Sequence, residues 1–421
     1  MVSFKSPLWR ERDFLRLWAA QSVSDFGARI TREGLPIMAV VVLAAAPAEL
    51  GVLAAISSGA GLVVGLTAGD YVDHTPRRRI LIRTDVLRAA VLLSVPLAAW
   101  LGVLSIWQVY AVAAVVAAAS VLFAIADHAY LPSLVGKAHV LDANAKIATT
   151  ESVAEMGGPA LAGLLFQVLT APFALAVNAA TYAVSALFLA RIRTPEAAPD
   201  ASRRRGWRSG LVTGAAAAWQ EARVRVLLIM TATGGLFGGF FSALYIAYVL
   251  RDLGLGTALM GLGIAAGGAG AMIGSVLAQP MARRLGVGPA ISISGALSAL
   301  GTMLILFAPA DRDGAFAALI VSQVLGDAFG VVPLILASSL RQSVLPNNLL
   351  GRVGATFRAV AGGGAVLGAL AGGLLGGVFG LRATLFAAIV GLMIGPAYGL
   401  AAPALRRVKE MPPGPDDPVG G

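Results

Sequence analysis

The sequence has no cysteine and very little charge. Of its 421 residues, 13% are Asp, Glu, Lys or Arg, whereas 57% are hydrophobic. Soluble proteins carry about 25% charged residues, so this chain has too few polar groups to cover a soluble surface. This composition excludes a cytosolic globular enzyme, a nucleic-acid-binding domain and a disordered chain. The missing cysteine excludes disulfides, thiol chemistry and Cys-based metal sites. What is left is a polytopic membrane protein.

Enzyme and metal-site motifs are also missing. The sequence contains no H-E-x-x-H, no G-x-S-x-G and no P-loop. Its three histidines, His74, His128 and His139, are too scattered to form a metal site. We therefore expect no enzymatic activity, no metal and no cofactor. Without an ATP-binding motif, any transport would have to draw its energy from a gradient.

Apolar segments of about 20 residues, the length needed to cross a bilayer as a helix, recur along the whole chain. They lie near 14–46, 49–69, 80–101, 105–134, 142–169, 172–190, 224–250, 256–282, 288–308, 314–340, 350–378 and 382–404. The sequence therefore predicts an all-α integral membrane protein with twelve transmembrane helices.

Polar stretches divide this pattern into two six-helix bundles. We predict a cytoplasmic N-terminus at 1–13, bundles at 14–190 and 224–404, a cytoplasmic linker at 191–223 and a disordered cytoplasmic tail at 405–421. Segments 161–165 and 370–374 resemble each other at an offset of about 210 residues, half the chain length. Such repeats make the bundles pseudo-symmetric, which is typical of secondary transporters.

The basic residues predict the orientation. With both termini inside, 24 Lys and Arg residues fall on the cytoplasmic side and 3 (Arg251, Arg312 and Arg382) on the opposite side. The positive-inside rule then places the termini and the linker in the cytoplasm, as a multi-pass protein of the cell inner membrane. It also explains the high isoelectric point without nucleic acid.

The loop after the second apolar segment resembles the signature of the major facilitator superfamily. Gly69, Asp73, Arg77 and Arg78 fit G-x-x-x-D-[RK]-x-G-[RK]-[RK], although His74 and Pro76 replace a basic residue and a glycine. The resemblance implies a cytoplasmic gating loop. Glycine would let two helices approach, and the Asp73 carboxylate would cap a neighbouring helix N-terminus and latch the loop.

A second motif, Gly158-Pro159 followed by Gly163, resembles the core of the superfamily's antiporter motif, or else serves close helix packing. Segments such as 130–135 and 351–353 are especially similar to the bacterial macrolide-efflux and enterobactin-exporter branch. That resemblance implies the major facilitator fold, in which spans 2 and 11, and spans 5 and 8, meet through glycine stripes.

Four charges of the first span share one helix face. Asp25, Arg29, Arg32 and Glu33 lie within an arc of about 100°. A charge in the bilayer costs about 2.5–3.5 kcal/mol, so this face should line a cavity rather than contact lipid. With Asp127 it is our candidate substrate site. The alternative is a structural ladder of ion pairs along the helix.

Proton coupling is assigned to other acids. Arg29 lies one turn from Asp25 and from Glu33, and an opposite charge stabilises the ionised carboxylate. The candidates for proton coupling are therefore acids without a basic residue nearby on the same helix: Glu151, Glu155, Asp127 and Asp327. A further pair, Asp85 and Arg88, is expected at the membrane interface.

These observations predict a secondary transporter, namely proton-coupled efflux of an amphipathic cationic or zwitterionic small molecule by alternating access. The spans of the first half contain five acids and two bases, and this excess of negative charge favours a cationic substrate. Alternatives are an uptake symporter for an organic solute, a lysolipid flippase, or a non-transporting receptor. The expected partners are the substrate, protons and the bilayer, with no nucleic acid and the chain acting as a monomer.

Overall fold

The computed structural model describes residues 7–196 and 207–412, and within these ranges the chain forms helices and no strand. Single turns of 3-10 helix lie at Pro7–Arg10, Lys137–His139 and Leu304–Phe307, and a π-helical turn lies at Tyr248–Asp252. The α-helices are α1 (Arg12–Val41), α2 (Pro47–Thr67), α3 (Gly69–His74), α4 (Arg77–Trp100), α5 (Ile106–Val135), α6 (Val140–Val168), α7 (Ala171–Ala190), α8 (Trp207–Gln220), α9 (Ala222–Ala247), α10 (Thr257–Leu285), α11 (Val287–Met303), α12 (Arg312–Val344), α13 (Asn347–Phe379), α14 (Leu381–Leu392), α15 (Ile394–Ala401) and α16 (Pro403–Arg406).

Local sequence signals explain several helix ends. The Asp311 carboxylate accepts a hydrogen bond of 2.7 Å from the Gly314 N–H and so caps the start of α12. Helices α5 and α13 end at Gly136 and Gly380, whose φ angles are 73° and 82°. Glycine adopts such angles without strain, and this allows the chain to leave the helix.

Nine helical segments of the described residues are long and apolar enough to cross a membrane. They are Pro47–Thr67, Ile106–Val135, Ala171–Ala190, Ala222–Asp252, Thr257–Leu285, Val287–Phe307, Arg312–Val344, Asn347–Phe379 and Leu381–Ala401. The three other long helices, α1, α4 and α6, carry several charges each. The count of twelve spans therefore stays a prediction, whereas the all-α membrane fold class holds.

Internal contacts divide the chain into two units. The first contains Met1–Ala45 and Ile56–Arg205, and the second contains Ala46–Ala55 and Gly206–Gly421. Each unit has its own apolar core. In the first unit α1, α4 and α5 contribute Phe14, Leu81 and Tyr130, and in the second unit Leu227 and Leu336 belong to the core.

The predicted linker and tail are more structured than expected. Of the linker, 197–206 lies outside the described residues, but α8 packs on α13, where a Cβ at Gly214 would lie 2.3 Å from the Arg352 carbonyl oxygen. Within the predicted tail, Leu405 is fully buried. The predicted disorder therefore does not begin at residue 405, and 413–421 lies outside the described residues.

The glycine stripe of α10 was expected to face span 5, and that expectation is wrong. A Cβ at Gly270 or Gly274 would lie 2.3 or 2.0 Å from carbonyl oxygens of Val324 and Ala328 in α12. The stripe therefore serves packing within the second unit, because only glycine lets two helix backbones come this close.

Candidate functional site

A network of four charged side chains joins α1 to α6 in the first unit. The Glu155 carboxylate binds Arg29 Nη2 at 2.5 Å through one oxygen and Arg32 Nη1 at 3.1 Å through the other. Arg32 Nε also donates to Glu33 at 2.9 Å. The charges of α1 are therefore neutralised mainly by a residue of α6. A ladder of ion pairs would instead have neutralised them along α1 itself.

Gly158 makes this network possible. A Cβ at this position would lie 2.6 Å from Cγ and 2.7 Å from Cβ of Arg29, which is too close for any other residue type. The neighbouring Gly157 is different, since a Cβ there would lie 3.8 Å from Phe26, an ordinary contact. Gly158 thus lets α6 approach α1 at Arg29, whose guanidinium binds Glu155. Pro159 and Gly163 are both buried in α6.

A second group consists of three acids from three helices. Asp25 of α1 interacts electrostatically with Glu151 of α6 and Asp127 of α5. The Asp127 carboxylate also accepts a hydrogen bond of 2.5 Å from Gln21 Nε2. Within 7–196 and 207–412 no ion pair is formed by Asp25. We call Asp25, Asp127 and Glu151 the acid group.

The salt-bridged network and the acid group contain different ion-pair partners from those that the sequence spacing predicted. Glu155 was chosen because no basic residue lies near it on its own helix, and its basic partners Arg29 and Arg32 come instead from α1. Conversely, Arg29 was expected to pair with Asp25 but pairs with Glu155. Sequence spacing reveals neighbours on one helix, whereas these partners depend on how α1 and α6 pack.

The remaining candidate acid, Asp327, lies in the second unit. A Cβ at Gly267 of α10 would lie 2.1 Å from Asp327 Oδ2, so the carboxylate of α12 rests against the α10 backbone at that glycine. Asp327 is itself exposed. It belongs to the second unit, whereas the acid group belongs to the first.

The second unit also contains an apolar cavity that no sequence motif predicts. It has a volume of about 540 Å³ and is lined by residues of α9, α11, α12, α13, α14 and α15. Its charged lining residue is Arg341, whose guanidinium lies 4.2 Å from the centre of the Phe357 ring. Arg341 was counted among the cytoplasmic bases, and nothing local predicted an apolar cavity beside it.

A buried ion pair lies inside the first unit. Asp85 and Arg88 bind each other, and their side chains are 0% and 3% exposed, respectively. The guanidinium is also 4.1 Å from the Tyr182 ring and 4.7 Å from the Phe123 ring. The pair is enclosed by protein because this face of α4 packs on α5 and α7, and its expected place at the membrane interface stays a prediction. Arg88 also interacts electrostatically with Asp25.

The gating loop differs from its predicted form. The backbone N–H groups of Arg77 and Arg78 donate to the Glu196 carboxylate at 2.8 and 3.2 Å. Glu196, and not Asp73, therefore caps α4. Asp73 is exposed and forms no hydrogen bond or ion pair with the part of the chain that the structure describes. A Cβ at Gly69 would meet no atom within 4 Å, so the predicted close approach at Gly69 is absent from the described residues.

Asp13 makes a similar connection at the start of α1, before the apolar segment. Burial opposes ionisation, but hydrogen bonds from the Thr194 hydroxyl, the Arg193 and Thr194 N–H groups and Arg16 outweigh it. The pKa of Asp13 is thereby lowered from 3.8 to about 2. Asp13 and Glu196 together tie the starts of α1 and α4 to the chain after α7.

Comparison with known proteins identifies relatives over almost the whole chain. The family model for transmembrane secretion effectors matches residues 3–415. The multidrug efflux pump Tap of Mycobacterium tuberculosis is 28% identical over 375 residues, which cover 85% of this chain and 86% of Tap. Tap of Mycolicibacterium fortuitum is 28% identical over 369 residues, covering 83% and 85% of the two chains.

Solved transporters share the fold. The nucleoside transporter NupG aligns with a TM-score of 0.75 at 14% identity, over 93% of this chain and 99% of NupG. A bacterial homologue of the iron transporter ferroportin aligns with a TM-score of 0.70 at 14% identity, over 94% and 99%. The chain belongs to the transmembrane secretion effector family of the major facilitator superfamily, and it is a multi-pass membrane transport protein rather than an enzyme.

Proposed function

We propose that this protein is a secondary active transporter that exports an amphipathic cationic or zwitterionic small molecule in exchange for protons, by alternating access. It acts as a monomer in the bacterial inner membrane, with both termini in the cytoplasm, as the 24 to 3 distribution of bases favours. Relationship to the efflux pump Tap supports export. The acid group is the observation that supports exchange with protons and a cationic substrate.

The acid group suits both a proton and a cation. Three neighbouring carboxylates repel one another, and a bound proton would relieve this repulsion. A cationic substrate relieves the same repulsion, so the proton and the substrate compete for one negative site. Such competition couples their movements in opposite directions. Asp25 therefore joins Asp127 and Glu151 as a coupling residue.

The salt-bridged network has a different part in this proposal. Both oxygens of the Glu155 carboxylate are occupied by arginines, so we assign proton coupling to the acid group and not to Glu155. Arg29, Arg32 and Glu33 then form the charged border of the substrate site.

Transport in proteoliposomes tests the proposal. Asp25→Asn, Asp127→Asn and Glu151→Gln should each lose substrate uptake driven by a pH gradient, yet retain substrate exchange at equal pH on both sides. Asp327→Asn is measured alongside them. Asp313→Asn, which removes an exposed acid at the start of α12, is the matched control and should behave as wild type.

Two results would contradict the assignment. If the acid-group variants keep gradient-driven transport and Glu155→Gln loses it, the proton is carried by the salt-bridged carboxylate. If wild type transports an anionic dye in preference to a cationic dye of similar size, the proposed substrate class is wrong.

A further inference from the structure

A second cavity of the second unit lies between helices α10 and α12 and the chain that follows α16. Its volume is about 780 Å³. The lining runs from Ser275 to Arg284 along α10, a rise of about 13 Å, and includes Ile335 and Ser339 of α12. None of the residues predicted to bind substrate or protons lines it.

The charges of this cavity are mainly basic. Arg283, Arg284 and Lys409 line it, together with one acid, Glu410. All four side chains belong to exposed residues. The balance of charge therefore favours an anion, and guanidinium groups bind phosphate oxygens through paired hydrogen bonds.

The backbone holds the bases in place. Carbonyl oxygens of Val408 and Lys409 accept hydrogen bonds of 2.9 and 3.1 Å from the N–H groups of Gly288 and Val287. Gly286 has a φ of 90°, and a Cβ there would lie 3.1 Å from Lys409 Cδ. The Lys409 side chain thus crosses the α10–α11 turn beside the two arginines, on a segment fastened to the start of α11.

Apolar side chains line the same cavity beside these bases. Leu285, Ile335 and Met411 line it and are 38%, 37% and 38% exposed. Val276, next to the lining residue Ser275, is 74% exposed. A free phosphate would leave this apolar surface uncovered, whereas a phospholipid would cover it with an acyl chain.

We propose that this cavity is a binding site for an anionic phospholipid. The lipid phosphate binds Arg283, Arg284 and Lys409, and the start of an acyl chain lies along Leu285 and Ile335. All three bases fall on the predicted cytoplasmic side, where basic groups between helices bind anionic headgroups. The site is separate from the proposed proton and substrate residues, so its binding test is independent of the proposed transport.

The test compares lipids and matched charge variants of the full-length protein. Detergent-purified protein is titrated with phosphatidylglycerol or phosphatidylcholine, and bound lipid is counted by native mass spectrometry alongside the melting temperature. The cavity variant carries Arg283→Gln, Arg284→Gln and Lys409→Gln. The control carries Arg352→Gln, Arg406→Gln and Arg407→Gln, which removes the same charge from exposed residues outside the lining.

Phosphatidylglycerol should bind wild type and control with equal affinity and raise both melting temperatures. Since each base near a membrane surface contributes about 1 kcal/mol, or about fivefold in affinity, the cavity variant should bind about a hundredfold more weakly. Lys409→Gln alone, a change at an exposed side chain, should weaken binding about fivefold if the triple variant does not fold.

Three outcomes would overturn the proposal. One is equal binding of phosphatidylcholine. Another is an equal loss of binding in the control variant. The third is competition by inorganic phosphate at the concentration where lipid binds, which would make the site one for a soluble anion.

Discussion

The two units hold their helices together by different means. In the first unit polar and charged side chains join the helices: Arg88 of α4, which pairs with Asp85, lies over the Tyr182 ring of α7, and Asn178 of α7 donates a hydrogen bond to Thr31 of α1. In the second unit glycines bring backbones together, as Gly270 and Gly274 do between α10 and α12. Polar pairs prescribe one arrangement of partners, whereas glycine contacts prescribe only a short distance. The unit with the candidate proton site is the one built on polar pairs.

Arg88→Met should have the largest effect on the stability of the first unit. It leaves the fully buried Asp85 carboxylate without its partner, and losing one member of a buried pair costs about 3–5 kcal/mol. Unfolding in detergent measures the loss. The double change of Asp85→Leu with Arg88→Met should recover most of the stability, because it removes both charges. A single variant as stable as wild type would show that the pair does not hold the first unit.

Gly274→Ala tests the second unit. The added Cβ would lie 2.0 Å from the Ala328 carbonyl oxygen, so α10 and α12 must separate at a cost of about 1–3 kcal/mol in unfolding free energy. Gly363→Ala in α13 is the control, since a Cβ there meets no atom within 4 Å. It should be neutral or slightly stabilising. Equal melting temperatures for the two variants would show that glycine is not needed for the packing of α10 on α12.

Asp13→Asn probes a polar connection outside the apolar segments. A pKa lowered from 3.8 to about 2 means that the ionised carboxylate stabilises the folded protein, by about 2 kcal/mol at neutral pH. This contribution is complete above pH 4 and is lost as the pH falls through about 2. The stability difference between wild type and variant should therefore be constant from pH 8 to pH 5 and shrink below pH 4. A difference that grows on acidification would refute the assignment.

Gly158→Ala tests a position of the first unit where a glycine lies against a residue of an ion pair. The added Cβ would lie 2.7 Å from the Arg29 Cβ, which is fixed to the α1 backbone, so α1 and α6 must separate at a cost of about 1–2 kcal/mol in unfolding free energy. Transport should fall more than stability, since Arg29 no longer reaches Glu155. Gly157→Ala, with 3.8 Å to Phe26, is the control. Identical transport by both variants would argue against a role for the network.

Glu196→Gln should have the smallest effect. Glutamine keeps an oxygen for the Arg77 and Arg78 N–H groups but loses the charge, so we expect a loss of about 0.5–1 kcal/mol. Asp73→Asn should leave stability unchanged, because Asp73 has no partner among the described residues. The reverse order in melting temperatures would restore Asp73 as the latch of this loop.

Sequence reasoning succeeded where one physical requirement decided the outcome. The bilayer demands long apolar helices, so hydropathy and the loop signature at Asp73 were sufficient to identify the fold and the transporter family. It failed where partners come from distant segments. Glu155 and Glu196 bind groups more than 100 residues away in the chain. The spacing of Asp85 and Arg88 revealed their pairing but not their burial, because burial depends on α5 and α7.

The bridge between Arg32 and Glu155 also has a consequence for biosynthesis. The two residues are 123 positions apart, so at about 5–20 residues per second the ribosome completes α6 about 6–25 s after α1. During that interval the charged face of α1 has no counterion from α6. We therefore expect nascent α1 to reach its final depth in the bilayer only after α6 has been synthesised.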